Sequence, residues 1–112
     1  MSLASEAIAA LDRALARAGT PIVFRQVNKA PTPHVDTPIK GHVRDGDGGE
    51  SGNGVAIVRS VVIISPTGLP AIPKRLDKIL VDGKVRTVQL PRVKRVQGQV
   101  VRIELDCEGV PG

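Results

Sequence analysis

Oxygen donors recur at a short interval in one stretch of the chain, Asp45 to Gly54, which reads DGDGGESGNG. Asp45, Asp47, Glu50 and Asn53 with glycine between them have the alternate-position pattern of a calcium loop. The pattern stops half-way: no glutamate closes a loop of about twelve residues, and no helix leads in. The glycines do not form a phosphate cradle either, because no Gly-Lys-Ser/Thr follows and the segment runs into a strand instead of a helix N-terminus. His34 and His42 are the two histidines. The first stands among prolines and the second on the polar face of a strand, and no Ser or Cys sits in a nucleophile motif. The single cysteine, Cys107, leaves no partner for an intramolecular disulfide and no cysteine zinc set. Cys107 is therefore read as a core or strand-end residue. No nucleophile, base or metal set can be named, so the expectation is a protein that is not an enzyme and takes no cofactor or metal.

Charge is the remaining chemistry. The chain carries a net charge of +5 over 112 residues, and nine of its basic residues lie between Lys74 and Arg102 against two acidic ones, Asp77 and Asp82. Such an excess suits an anionic neighbour, nucleic acid or an acidic protein surface, and composition does not choose between them. With one Phe and no Tyr or Trp, stacking of unpaired bases on aromatic rings is not available, which weighs against a single-strand-binding barrel. No apolar stretch approaches a membrane span, and the N-terminus lacks the basic start and apolar core of a signal peptide; an intracellular protein is expected.

The elements that would carry these residues form one domain over 1–112. Residues 2–18 predict a helix, with Leu3, Ile8, Leu11 and Leu15 along a narrow stripe, Ser2 or Ser5 as cap, and Gly19 ending it in a left-handed conformation. That helix can cover a sheet or dock on a neighbouring subunit. Strands are predicted near 21–28, 38–44, 55–65, 77–82, 84–90, 92–97 and 99–107. Pro31, Pro33 and Pro38 are expected to stop regular pairing until Ile39, as a loop or an edge, after which Ile39, Gly41 and Val43 share one face. Pro91 likewise marks an edge. The glycine-rich segment 45–54 is expected to be a flexible loop, ordered only in an assembly.

The clearest signal is C-terminal. Asp82-Gly83 favours a two-residue type I′ turn that fixes a hairpin. Ile79 and Val81 then face the core, with Val85 and either Val88 or Leu90 as apolar partners after the turn, and Lys78, Lys84 and Arg86 left for water or a partner. A second hairpin turns at Gln97-Gly98-Gln99. The fold class is mainly β: a small antiparallel barrel or sandwich, spanning about 20–107, with one N-terminal helix and a long flexible loop.

Three segments carry a further signal: IAALDRALARAGTPIVFR at 8–25, VVIISPTGL at 61–69, and DKILVDGKVRTVQLPRVKRVQGQVVRIELDCEG at 77–109. Together they resemble the small head-tail joining (stopper or head-completion) proteins of long-tailed bacteriophages and prophages. The resemblance implies a small barrel or sandwich whose copies, six to a ring, sit in the neck of the virion. A portal or adaptor protein would lie above, a tail terminator or tail tube protein below, with double-stranded DNA in the lumen and no membrane partner. On that basis Arg44, Asp45, Asp47 and Glu50 are expected on a channel-facing loop, and Lys74, Arg75, Arg92, Lys94 and Arg95 at subunit or DNA-facing surfaces. The competing expectation is a monomeric basic β-barrel that binds nucleic acid through its phosphates.

Overall fold

Inward and outward residues alternate along every long strand of the structure, a computed structural model that describes residues 2–46, 49–50 and 56–109. The elements are α1 (Leu3–Ala18), β1 (Thr20–Gln26), β2 (Val35–Asp45), β3 (Gly49–Glu50), β4 (Ala56–Ile64), β5 (Lys78–Val81), β6 (Lys84–Val96) and β7 (Gln99–Gly109). The strands run in the order β2-β1-β5-β6-β7-β4-β3, and a further pairing of β2 with β4 joins the two sides. The result is a closed six-stranded antiparallel barrel, with β3 as a two-residue addition to β4. Of the two architectures open to the sequence, the barrel is the one adopted: the sheet covers itself by curling instead of recruiting a second layer.

Closure happens at one residue. β2 pairs with β1 through Gly41 opposite Thr20, then takes β4 as its neighbour from His42 opposite Ile63. A side chain at Gly41 would meet Ile22 Cδ1 at 2.7 Å, Ile64 Cγ2 at 3.1 Å and the Ile63 carbonyl oxygen at 3.2 Å. The change of partner therefore favours a residue without a Cβ, since Ile22 must give way to admit one.

Phe24, Val62, Ile64, Ile79, Val88, Ile103 and Leu105 are fully buried inside the barrel, joined by Ile22, Val81 and Cys107. Burying each such side chain contributes roughly 1.5–3 kcal/mol relative to leaving it in water. The link between β4 and β5 packs Leu69 against this core and buries Pro73.

Both hairpin turns place two residues at positive φ: Asp82 and Gly83 at 52° and 77°, Gln97 and Gly98 at 52° and 78°. The first is as expected. The second is a two-residue turn, since Gln99 already pairs with Val96. The expected break between strands 84–90 and 92–97 is absent, because β6 runs through Pro91 with a register shift between Val88 and Leu90. Likewise β2 begins at Val35 and carries Pro38 opposite Val23. Both prolines stand where one edge of their strand is open: β6 has run past the end of β5 there, and β2 has not yet met β4. Val85 and Leu90 turn outward, so Val88 alone fills the core after the first turn.

The segment 45–54 is not one loop. Asp45 ends β2, and Gly49–Glu50 pair with Ile57 and Ala56. Its expected flexibility concerns mostly positions 47, 48 and 51–54, which lie outside the described residues, as does Asp47.

Helix α1 is capped by Ser2, whose hydroxyl accepts from Ser5 N at 3.1 Å while the Ser5 hydroxyl accepts from Ser2 N at 3.2 Å. Gly19 does not end it in the left-handed conformation; its φ is −75°, and a Cβ would collide with the Leu15 carbonyl oxygen. The helix lies on the outer barrel wall against β7, β2 and β6. Ala4 and Leu15 are buried there while Leu3 stays 62% exposed. The Thr67 hydroxyl donates to Asp12 at 2.8 Å, and Lys40 Nζ donates to the Ala16 carbonyl at 3.3 Å, where a cation also suits the helix C-terminus.

Candidate interaction surface on the barrel wall

Three of the expected channel-facing residues belong to strands, Arg44 and Asp45 to β2 and Glu50 to β3. Arg44 points outward from β2 opposite Val61, and Asp45 points into the barrel mouth. Asp45 Oδ1 there accepts from Arg86 Nη1 at 2.6 Å. β2 and β6 stand three strands apart in either direction round the wall, so this ion pair crosses the mouth from one side to the other. Arg86 is thus not left for water: its side chain is 14% exposed. Lys78 is also occupied, donating to the Thr87 hydroxyl at 2.8 Å. Below the mouth, burial pushes the Cys107 thiol up to about 12, against a smaller opposing influence of Arg86. A thiol so held is almost wholly protonated at neutral pH and is unreactive as a nucleophile.

His34 lies at the surface 3.8 Å from Asp36, whose carboxylate is held below its usual range by bonds from Arg25 at 2.8 and 3.0 Å. His42 is exposed on the outer face of β2. Among the described residues no group of three or more His, Cys, Asp or Glu is placed to hold a metal. No helix there is long and apolar enough to cross a membrane.

The five expected basic residues do not form one patch. Arg92, on the outer face of β6, is held 2.7 Å from Asp106 and 3.8 Å from Glu104. Lys94 and Arg95 lie further along the same strand, with Lys94 directly opposite Arg102 on β7. Like charges facing each other across a ladder destabilise it. Arg102 is compensated by Glu104 at 3.0 Å, whereas Lys94 and Arg95 have no carboxylate partner among the described residues. These two line the part of β6 that has lost its β5 neighbour, an open edge marked by Pro91 and basic side chains.

Lys74 and Arg75 are displayed by a rigid turn. Asp77 is 1% exposed, and its carboxylate accepts from Lys74 N at 3.0 Å and from Val27 N at 3.1 Å, tying the link to the end of β1. Asp77 N donates back to the Lys74 carbonyl at 3.1 Å, and Leu76 N and Val88 N complete ladder bonds at 2.8 Å with Val88 and Asp77. Between these anchors Leu76 has φ 78° and is 56% exposed. A leucine in the left-handed region costs roughly 1–2 kcal/mol, so the surrounding bonds hold it there. Neither Lys74 nor Arg75 pairs with a carboxylate among the described residues. Sequence reading singled out the two cations but missed Leu76 and Asp77; an Asp just ahead of a strand was the available signal, since Asp side chains commonly bond nearby backbone in turns.

On the other flank of β6 a groove of about 590 Å³ crosses β6, β7, β4 and the end of β2. Val61 and Leu90 give it apolar surface, Glu104, Asp106 and Glu108, at alternate positions on β7, give it carboxylates, and Arg44, Arg59 and Arg92 give it guanidinium groups. Leu90 is 52% exposed. The acidic row follows from the alternation of IELDCE, with Ile103, Leu105 and Cys107 facing in. Comparison of the chain with protein-family models gives no match, and comparison with curated proteins gives none either.

Proposed function

We propose that this chain is a structural component of a tailed-phage neck, six copies forming a ring between the portal or adaptor and the tail. In that position the ring completes the head, retains double-stranded DNA and docks the tail. The observation that carries this reading is the placement of chemistry on the barrel. The inside is a filled aliphatic core, whereas Lys74, Arg75, Lys94 and Arg95 stand on the outer wall without carboxylate partners among the described residues. Anything anionic that the barrel binds would be met by its outside. The resemblance of 8–25, 61–69 and 77–109 to head-tail joining proteins supplies the setting, and a small barrel with a flanking helix is the shape that resemblance implies.

A charge reversal in the phage or prophage that encodes the chain tests the reading. Arg92 is a poor choice, because Arg92→Glu would set a third carboxylate beside Glu104 and Asp106 and weaken the β6–β7 ladder. Lys94→Glu with Arg95→Glu leaves the ion pairs of the wall intact. The double variant is expected to fold, by circular dichroism and melting temperature, yet to yield full heads that leak DNA or lack tails, since a symmetric ring repeats the change at every interface. Normal infectious titres from the folded variant would return both cations to an idle solvated face.

A further inference from the structure

We propose that the Lys74–Asp77 turn of one copy docks into the Val61–Leu90 groove of the next copy, the apolar Leu76 entering and the Lys74–Arg75 pair meeting Glu108 of β7. The inference rests on the ring reading and names the surfaces that would build it.

Three observations lead to it. The turn is preorganised: buried Asp77 fixes it from two sides, and its tip holds an exposed leucine at φ 78°. A bulky residue kept in that conformation by the bonds of Leu76 and Asp77 to Val88 holds its side chain in water at a fixed position. The tip is also basic and apolar together, which suits a protein surface better than a phosphate backbone, because Leu76 would add nothing to phosphate contacts.

The second observation is charge complementarity. Glu104, Asp106 and Glu108 form a row of three carboxylates within five residues on one outer strand face; Arg92 and Arg102 already engage the first two, and Arg44, Arg59 and Arg92 line the same groove, so Glu108 is the carboxylate left for a neighbour. Glu108 is 38% exposed and only loosely engaged, 3.6 Å from Arg59. It can take a second cation. The groove beside this row has an exposed leucine of its own, Leu90, for Leu76 to cover.

The third observation is position. The turn lies on the β5 side of β6 and the groove on its β7 side, so the two surfaces occupy different sectors of the wall. Joining unlike surfaces makes a head-to-tail contact that leaves both neighbours of a copy identical in kind. Such a contact closes into a ring when its rotation closes and winds into a filament when it does not.

Sedimentation velocity of the full chain at low ionic strength, over a rising concentration series, tests the docking. The wild type is expected to associate. Leu76→Gly gives the left-handed position to the residue that favours it. This variant is expected to melt at a higher temperature and still need roughly tenfold more protein to associate, as loss of an apolar anchor requires. Lys74→Glu with Arg75→Glu is expected to remove association, and adding Glu108→Lys to restore part of it. Association lost by the reversal and not recovered by Glu108→Lys would overturn the pairing with this groove. If Leu76→Gly and the reversal associate as the wild type does, the docking is wrong and the ring is left standing. A wild type that stays monomeric throughout would remove ring and docking together.

Discussion

Asp77→Ala is expected to lower the free energy of unfolding by about 3 kcal/mol, because it strips two backbone donors of a buried acceptor at once. The carboxylate accepts from Val27 N and Lys74 N and is 1% exposed, so water cannot replace it without opening the joint between β1, the link and β6. Asp77→Asn keeps one carbonyl oxygen and turns the other acceptor into a donor facing an N–H. It should recover about half of the loss. Urea titration of the three proteins, with unchanged slope and shifted midpoint, reads these differences. Equal stabilities for Ala and wild type would mean that the joint holds without its carboxylate.

Gly41→Val is expected to cost a similar amount, about 3 kcal/mol, through overpacking at the residue where β2 exchanges β1 for β4. Gly41→Ala should cost about 1 kcal/mol. The distinction comes from what must move. Ile22 Cδ1, 2.7 Å from the new Cβ, is the end of a flexible side chain and can turn away, but the Ile63 carbonyl at 3.2 Å belongs to the ladder that closes the barrel. The two further methyl groups of valine have only Ile64 and that backbone to press against. Thermal unfolding followed by circular dichroism measures both; a valine variant as stable as the alanine one would show that the seam between β2 and β4 is loose.

Much of the architecture was legible from local chemistry. Asp82-Gly83 announced its turn, IKGHVR showed which residues of β2 face in, and the helix stripe and its serine cap stood out in the first eighteen residues. The misreadings share a cause. Pro38 and Pro91 marked edges, as their chemistry suggests, but also read as interruptions of their strands; each strand runs through its proline because pairing continues with the one neighbour it keeps, which only the topology shows. Arg86 looked solvent-facing because charge was weighed above alternation, and only the position of Asp45 across the mouth gives an inward arginine its partner. Gly41 stood on the apolar face of its strand, yet whether a glycine there marks weakness or close approach depends on Ile22 and Ile64, which are distant in the chain.

The candidate site was legible in part and for the same reason. Basic residues could be counted but not sorted. Arg92 is neutralised by Asp106 from the adjoining strand, while Lys94, one ladder step away, faces Arg102. Leucine at position 76 gave no sign of its backbone conformation, which is imposed by its N–H donating to the Val88 carbonyl and by the turn that Asp77 fastens. Such positions reflect tertiary demand overriding local preference, and they gather where a surface is held in a fixed shape.

The central claim is that the barrel acts as one member of a closed ring through which DNA passes, and native mass spectrometry of the full chain, with and without a short DNA duplex, tests it most directly. A discrete species of six copies, formed without DNA and weakened by salt, is the expected result. A monomer at every concentration that binds the duplex with steep salt dependence would contradict the ring and favour a barrel that meets nucleic acid through phosphate contacts alone.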